Sequence, residues 1–181
     1  AWLDLDKAEG IEYWTAMNLA GDYAKACHEV IHEKLSKSIG LKPLTKIENH
    51  HNFAWKEVQA DGRELIVHRK GATPAREGEF GVIPGSMIHP GYIISGKGKP
   101  DSLFSASHGA GRKMSRKKAK ETFTKSSINS QLKQHNVTLF GGGADEAPLA
   151  YKNIDLVMSN QEDLVKVEGL FYPKIVRMAK D

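Results

Sequence analysis

This 181-residue sequence contains only one cysteine and no long apolar run, and these two features exclude several classes of protein. One cysteine, Cys27, excludes an internal disulfide framework and a zinc site built from several cysteines. A reducing compartment is therefore expected, and we predict a cytoplasmic location. No apolar stretch approaches the length of a membrane span and no signal peptide is evident, so we expect no membrane association.

Charge is present in an ordinary amount but is unevenly distributed. Charged residues make up 27% of the chain, and the formal net charge is +4 at pH 7. Six lysines and arginines nevertheless lie within residues 112–120. Such clustering favours a polyanionic partner more than a diffuse excess would. The alternative is a lysine-rich helix face that is simply solvated.

Apolar residues recur at helical spacing from about Ala8 to Ser38, which predicts one long N-terminal helix. His28 and His32 share a face of this helix. A histidine pair at this spacing can bind a metal, but no third ligand lies beside it, and we interpret both as surface residues.

The middle of the chain is typical of β-structure. Asp61-Gly62 is a turn signal and predicts a hairpin from Phe53 to Arg69. The sequence thus predicts an α+β protein in which the long helix packs on a mainly antiparallel, β-rich core with a loop-borne active site. With no repeat or linker, residues 1–181 are expected to form a single domain. Further strands or helices are expected at residues 80–83, 92–96, 103–107, 114–123, 128–134, 137–140, 151–159, 163–169 and 171–178.

The most informative stretch is Ser105–Arg116, where two glycines flank an alanine directly after His108. Glycines let backbone amides approach an oxyanion closely, and the guanidinium of Arg112 matches phosphate oxygens. Imidazole is also a competent nucleophile toward phosphorus. The stretch therefore indicates a phosphate site, with a glycine turn before a basic surface helix as the alternative.

Three segments at strand ends or turns are expected to converge: His51-Asn52, Pro84–Met87 and His108–Arg112. A metal ligand, a turn with exposed amides and a nucleophile would together form a nucleotidyl-transfer site. The residues alone predict phosphate or nucleotide chemistry and no more specific activity.

A set of motifs then occurs in one order over most of the chain: His50–Ala54, Arg69–Ala72, Ile83–Met87, Ser107–Arg112, Met114–Arg116, Asp145–Pro148 and Ala150–Lys152. Together they resemble the RtcB family of RNA-splicing ligases. The resemblance implies the C-terminal portion of an RtcB-like fold. It also implies an enzyme that uses GTP and Mn²⁺ to join RNA 3′-phosphate or 2′,3′-cyclic phosphate ends to 5′-hydroxyl ends, as in tRNA splicing or RNA repair.

The same resemblance implies a role for each site residue. His108 would attack the α-phosphate of GTP and pass GMP to the RNA 3′-phosphate, and His51 would be a manganese ligand. The implied nucleotide contacts are Asn52, Pro84, Gly85, Ser86, Met87, Gly109, Ala110, Gly111, Arg112, Tyr151 and Lys180.

The chain also departs from the family pattern. The family's N-terminal half supplies further metal ligands, so we interpret this chain as the C-terminal part of a larger catalytic domain, inactive alone and needing that half as a partner. Gly91 stands where the family has a nucleotide-contacting serine, and Ala179–Asp181 differs from the usual end. The alternatives are a non-catalytic RNA- or nucleotide-binding module, or an enzyme that opens cyclic phosphates without sealing.

Overall fold

A computed structural model describes residues 2–50, 52–59 and 61–179. The chain divides between Lys46 and Ile47 into two compact units. The α+β class, with one long helix and mainly antiparallel sheets, is confirmed. The single-domain assignment within a larger catalytic domain stays a prediction.

The first unit is dominated by helix α1, Ala8–Ser38, which has the predicted bounds. Near its start, a Cβ on Gly10 would lie 2.0 Å from the carbonyl oxygen of Asp4, so only glycine lets the preceding turn approach so closely. His28 and His32 are exposed, as predicted. Among the described helices, α1 included, none combines the length and apolar character needed to cross a bilayer.

The second unit holds small sheets joined by short helices. Strands β1–β2, β3–β6 and β4–β5–β8 pair antiparallel, whereas β7 and β9 pair parallel. The strands are β1 (Asn52–Val58), β2 (Glu64–Lys70), β3 (Ala72–Pro74), β4 (Phe80–Pro84), β5 (Gly91–Gly96), β6 (Ser105–Ser107), β7 (Thr138–Phe140), β8 (Val165–Phe171) and β9 (Ile175–Arg177). The α-helices are α2 (Arg116–Thr122), α3 (Lys125–Gln134) and α4 (Ile154–Ser159).

Polar side chains cap the N-termini of α2, α3 and α4, and these helices begin at residues other than the predicted ones. Ser115 accepts a hydrogen bond from the amide of Lys118, so α2 begins two residues later than expected. Thr124 and Ser127 form a capping box, and α3 therefore begins three residues earlier. Asn153 caps α4, and the predicted start of that helix at residue 151 is wrong.

The strand that leads to His108 is also shorter than predicted. Leu103 and Phe104 both adopt φ near 51°, in the left-handed region, and a strand cannot pass through that conformation. Strand β6 therefore begins at Ser105 rather than residue 103.

Two apolar clusters fill the second unit. The first lies beneath the three-stranded sheet, where Ile83 and Ile94 are fully buried. Its buried members are Ala75, Ile83, Ile94, Ala106, Ala110, Ile154, Met158 and Val165. The second joins α3 to the β4–β5 turn through Met87, Ile128, Leu132, Val137 and Ala147.

Asn49 closes the outer edge of β4 with its side-chain amide. Its Oδ1 accepts the amide proton of Val82 at 3.2 Å, and its Nδ2 donates to the carbonyl of the same residue at 3.4 Å. The same nitrogen donates to the hydroxyl of Thr73 on β3. One side chain thus links two sheets.

A buried ion pair connects the β1–β2 hairpin to the chain that enters β6. Arg69 is 1% exposed and donates to both oxygens of Glu57, at 2.7 and 2.9 Å. It also donates to Ser105 Oγ at 2.8 Å and to the carbonyl of Leu103 at 2.9 Å. Burial alone would raise the pKa of Glu57, but the hydrogen bonds and charge of Arg69, with Arg76, outweigh it and hold that pKa below its ordinary value.

Replacing Arg69 by methionine should destabilise the fold strongly. Arg69→Met removes the buried partner of the Glu57 carboxylate and leaves Arg76, an exposed residue, as its remaining ion-pair partner. We expect a loss of about 3 kcal/mol in the free energy of unfolding, measured by urea denaturation at pH 7. The exposed pair Arg63–Asp61 supplies the control, since Arg63→Met should cost less than about 1 kcal/mol. Equal losses in the two variants would contradict this assignment.

Lowering the pH should remove the stabilisation that the Glu57–Arg69 ion pair provides. Because the folded-state pKa of Glu57 lies below its ordinary 4.5, its contribution is present above pH 4.5 and disappears as the pH falls through the lower, folded-state value. In Glu57→Gln the stability should depend less on pH in that window, as measured by denaturation at a series of pH values. An unchanged pH profile would contradict this.

Candidate functional site

His108 follows directly after β6 and lies beside Gly71. Strand β6 pairs with β3, and the amide of His108 donates to the carbonyl of Gly71 at 3.3 Å. A Cβ built on Gly71 would stand 3.8 Å from the imidazole ring, so the ring lies alongside that glycine. Asn52 pairs with Lys70, the residue before Gly71, which brings the start of β1 to the same region.

The loop after His108 is held from two sides. The amide of Ala110 donates to the carbonyl of Pro84 at 3.0 Å, and a Cβ on Gly109 would lie 3.2 Å from that oxygen. On the other side, the carbonyl of Gly111 accepts from the amide of Lys152 at 2.9 Å. The loop is therefore fixed between the β4–β5 turn and the chain before α4.

Two amides of this loop are available to a ligand. In the part of the chain that the structure describes, the amides of Gly109 and Gly111 have no acceptor, whereas that of Ala110 is taken by Pro84. Gly111 has φ +68°, which only glycine adopts easily. Backbone amides of this kind can bind the oxyanion of a phosphate.

The predicted turn Pro84–Met87 lies beside the loop, but its residues differ in exposure. Gly85 donates its amide to the carbonyl of Pro90 at 3.0 Å, which closes the turn. Ser86 is half-buried, and its hydroxyl lies 2.7 Å from Nδ1 of His89. Met87 is 7% exposed and packs into the second apolar cluster, so its side chain serves the core.

Arg112 is held by protein groups rather than directed freely at the site. Its Nε donates to the carbonyl of Met114 at 3.1 Å, and Nη1 donates to the hydroxyl of Tyr151 at 3.2 Å. Its guanidinium carbon stands 5.0 Å from the centre of the Tyr151 ring, and Nη2 donates to the carbonyl of Asp145. The hydroxyl of Tyr151 in turn donates to Glu146. Arg112 and Tyr151 thus fix each other, and their contacts to a nucleotide stay predictions.

Asp145 and Glu146 were absent from the predicted site, yet they organise its basic side. Arg116 pairs with Asp145 at 2.7 Å and also with Glu146, and Lys120 lies 3.9 Å from Asp145. The hydrogen bond from Arg116 holds the pKa of Asp145 below its ordinary value. The adjacent carboxylates of Asp145 and Glu146, together with the basic run at residues 112–120, were the sequence signal for these ion pairs.

Two predicted residues lie outside the described residues: His51, the expected metal ligand, and Lys180, an expected nucleotide contact. Among the residues that are described, no group of three or more histidine, cysteine, aspartate or glutamate side chains could hold a metal ion. The described residues therefore do not fit a self-sufficient manganese site.

Comparison with known proteins identifies the family. The family model described as tRNA-splicing ligase RtcB matches residues 1–178. The chain belongs to the RtcB family. Within that family it is 44% identical over 138 residues to the RNA-splicing ligase RtcB1 of one Escherichia coli strain, and 46% identical over 127 residues to the RNA-splicing ligase RtcB of another. It is also 32% identical, over an alignment of 187 positions, to the tRNA-splicing ligase RtcB of Nanoarchaeum equitans.

These matches cover most of the chain but a minor part of each RtcB relative. They include 75%, 68% and 90% of this chain, and 33%, 30% and 39% of the respective relatives. The chain thus spans about a third of the length of the curated relatives it matches.

The Arg112–Tyr151 contact can be tested through the tyrosine. Burial raises the pKa of Tyr151, Glu146 raises it further, and Arg112 opposes both. In Arg112→Met that pKa should therefore rise again, as followed by NMR titration of ¹³C-labelled tyrosine. Lys113→Met is the matched control because Lys113 is adjacent and exposed. Equal tyrosine titrations in wild type and Arg112→Met would contradict the contact.

Proposed function

We propose that this chain carries the nucleophile of a GTP-dependent RNA ligase that joins 3′-phosphate or 2′,3′-cyclic phosphate ends to 5′-hydroxyl ends. The observation that carries the proposal is the position of His108 in a member of the RtcB family. Its ring lies beside Gly71, and the amides of Gly109 and Gly111, just after it, have no acceptor among the described residues. A nucleophile next to free amides suits attack on a phosphate.

The proposed chemistry follows from an imidazole nitrogen. An unprotonated nitrogen of His108 forms a bond to the α-phosphorus of GTP while the bond from phosphorus to pyrophosphate breaks. GMP then passes from His108 to the RNA 3′-phosphate, and the 5′-hydroxyl displaces GMP to seal the strand. Amides of the 109–111 loop would offset charge that develops on the phosphate oxygens.

Manganese is proposed only as an ion shared with residues outside this chain. Bound Mn²⁺ would neutralise phosphate charge. His51 is the ligand proposed from this chain, and one imidazole does not hold such an ion well. The N-terminal portion present in relatives is therefore the proposed partner, and the chain alone is expected to be inactive. We also propose a cytoplasmic location for this protein.

The basic helix α2 is proposed to bind the RNA backbone. Arg116 and Lys120 are paired with Asp145, but Lys117 and Lys118 are exposed and have no carboxylate partner among the described residues. Free lysines can release counterions from phosphates and bind RNA without reading its sequence.

A non-catalytic nucleotide- or RNA-binding module is the second candidate. It is favoured by the lack of a metal cluster among the described residues and by the engagement of Arg112 with protein groups. It predicts salt-dependent RNA binding without any covalent adduct. An end-processing activity that opens cyclic phosphates without sealing would be recognised by its RNA products.

Guanylylation should depend on His108 alone among the histidines compared. The chain is mixed with the N-terminal portion of an Escherichia coli relative, Mn²⁺ and α-labelled GTP, and an acid-labile protein adduct is measured by gel. His108→Ala should abolish the adduct, and His68→Ala should keep it because His68 is exposed on β2. An adduct that persists in His108→Ala would end the assignment, and no adduct with any protein would favour the binding module.

RNA binding should depend on the unpaired lysines of α2. Lys117→Glu/Lys118→Glu should weaken RNA binding and reduce the slope of log affinity against log salt by about 0.7 for each lost single-strand phosphate contact. The matched control is Lys133→Glu on α3, which is also exposed. Fluorescence anisotropy with a labelled single-stranded RNA measures both, and equal losses in the two proteins would remove α2 from the interface.

A further inference from the structure

The turn between β4 and β5 contains a hydroxyl–imidazole pair that no predicted site role explains. Ser86 Oγ lies 2.7 Å from His89 Nδ1, and both residues are half-buried. The amide of His89 also donates to the carbonyl of Ser86 at 3.2 Å. The backbone and the side chains of the two residues are therefore bonded in the same turn.

The backbone of the turn is closely packed at His89. The amide of Gly85 donates to the carbonyl of Pro90, and a Cβ on Gly85 would lie 2.9 Å from the Cβ of His89. The turn begins at Pro84, whose carbonyl accepts from Ala110 two residues after His108. The pair is thus joined through two residues of backbone to the loop that follows the proposed nucleophile.

The charged groups that act on His89 come from the residue after α3 and from α4. His135 follows α3, and its Nδ1 lies 3.0 Å from the carbonyl of Gln131. Asp155 belongs to α4 and accepts a hydrogen bond from the hydroxyl of Tyr92 at 2.6 Å. Burial lowers the pKa of His89, the charge of His135 lowers it further, and Asp155 opposes both. The imidazole is therefore neutral at neutral pH.

We propose that His89 is a positioning residue that sets the hydrogen-bond direction of the Ser86 hydroxyl in the nucleotide site. This rests on the proposed function, in which GTP occupies the Pro84–Met87 turn. A neutral Nδ1 accepts the proton of Ser86, and Ser86 Oγ itself accepts the amide proton of Ile88 at 3.4 Å. The remaining lone pair of Ser86 Oγ can then act as an acceptor toward the ligand. It suits a ribose hydroxyl or a base N–H rather than a phosphate oxygen.

Protonation of His89 reverses the direction of the hydrogen bond between Ser86 and His89. Nδ1 then donates to Ser86 Oγ, and the hydroxyl proton turns toward the ligand, where it would meet another donor. GTP affinity should therefore fall as the pH drops through the pKa of His89. A hydrogen bond that only stiffened the turn would give no such dependence on protonation.

The test compares two replacements of His89 in the chain supplemented with the N-terminal portion of a relative. His89→Asn keeps an acceptor near the position of Nδ1 but does not titrate, whereas His89→Leu removes the acceptor. GTP binding is measured by calorimetry from pH 5 to pH 8. At pH 8 we expect wild type and His89→Asn to bind alike and His89→Leu to bind about fivefold more weakly, the effect of one net hydrogen bond. His89→Asn should show no loss at acid pH.

Further variants separate this role from a structural one. Ser86→Ala should bind as weakly as His89→Leu, and the double variant should be no weaker, since both act through one hydroxyl. ¹⁵N NMR of the imidazole should show a neutral ring protonated on Nε2 above its pKa. The exposed His68→Asn is the control and should match wild type at every pH.

The outcomes distinguish the two proposals. A pH-independent GTP affinity in wild type, or full affinity in His89→Leu, overturns the positioning role while His108-dependent guanylylation keeps the proposed function. A neutral ring protonated on Nδ1 also overturns it. If no protein binds GTP, the proposed function fails and the role of His89 fails with it.

Discussion

A single buried guanidinium holds together the parts of the second unit that carry the candidate site. Arg69 bonds Glu57 across the hairpin and also reaches Ser105 and the carbonyl of Leu103. A buried cation is tolerated only with such complete pairing, because an unpaired charge in the interior costs several kcal/mol. The hairpin and the start of β6 are therefore fixed to each other, and His108 follows three residues after Ser105.

The candidate site is made of loops, yet few of these loops are free to move. The 109–111 loop is bonded to Pro84 on one side and to Lys152 on the other. Arg112 and Tyr151 add side-chain contacts behind it. A site that must place a nucleophile against phosphorus gains from this, because errors of about 1 Å in position can slow a reaction markedly.

Much of this architecture could be predicted from the sequence because local signals agree with the tertiary structure. The long periodic helix was predicted from Ala8 to Ser38, and the hairpin follows from Asp61-Gly62, where Gly62 has φ +82°. The family, too, followed from motifs that stand in one order. Each of these signals depends on residues close together in the chain or on exact motifs.

The parts that sequence reasoning missed depend on distant partners. Leu103 ends the short 3-10 helix Pro100–Ser102 in a left-handed cap, which was missed because such caps usually carry glycine. Its carbonyl then accepts from Arg69, 34 residues away. The protein partners of Arg112, the carbonyl of Asp145 and the hydroxyl of Tyr151, were missed because they are more than 30 residues distant. His89 was not among the predicted site residues, although its spacing of three from Ser86 is the local signal for the pair.

The side chain of Asn49 affects how readily the folded protein associates with other chains. Strand β4 is an edge strand of its sheet, and such strands normally present unpaired backbone groups that can pair with other chains and cause aggregation. By occupying both backbone groups of Val82, one amide makes the middle of that strand a poor template for intermolecular pairing. Aspartate, which lacks the donor, would leave one carbonyl there ready to nucleate assembly.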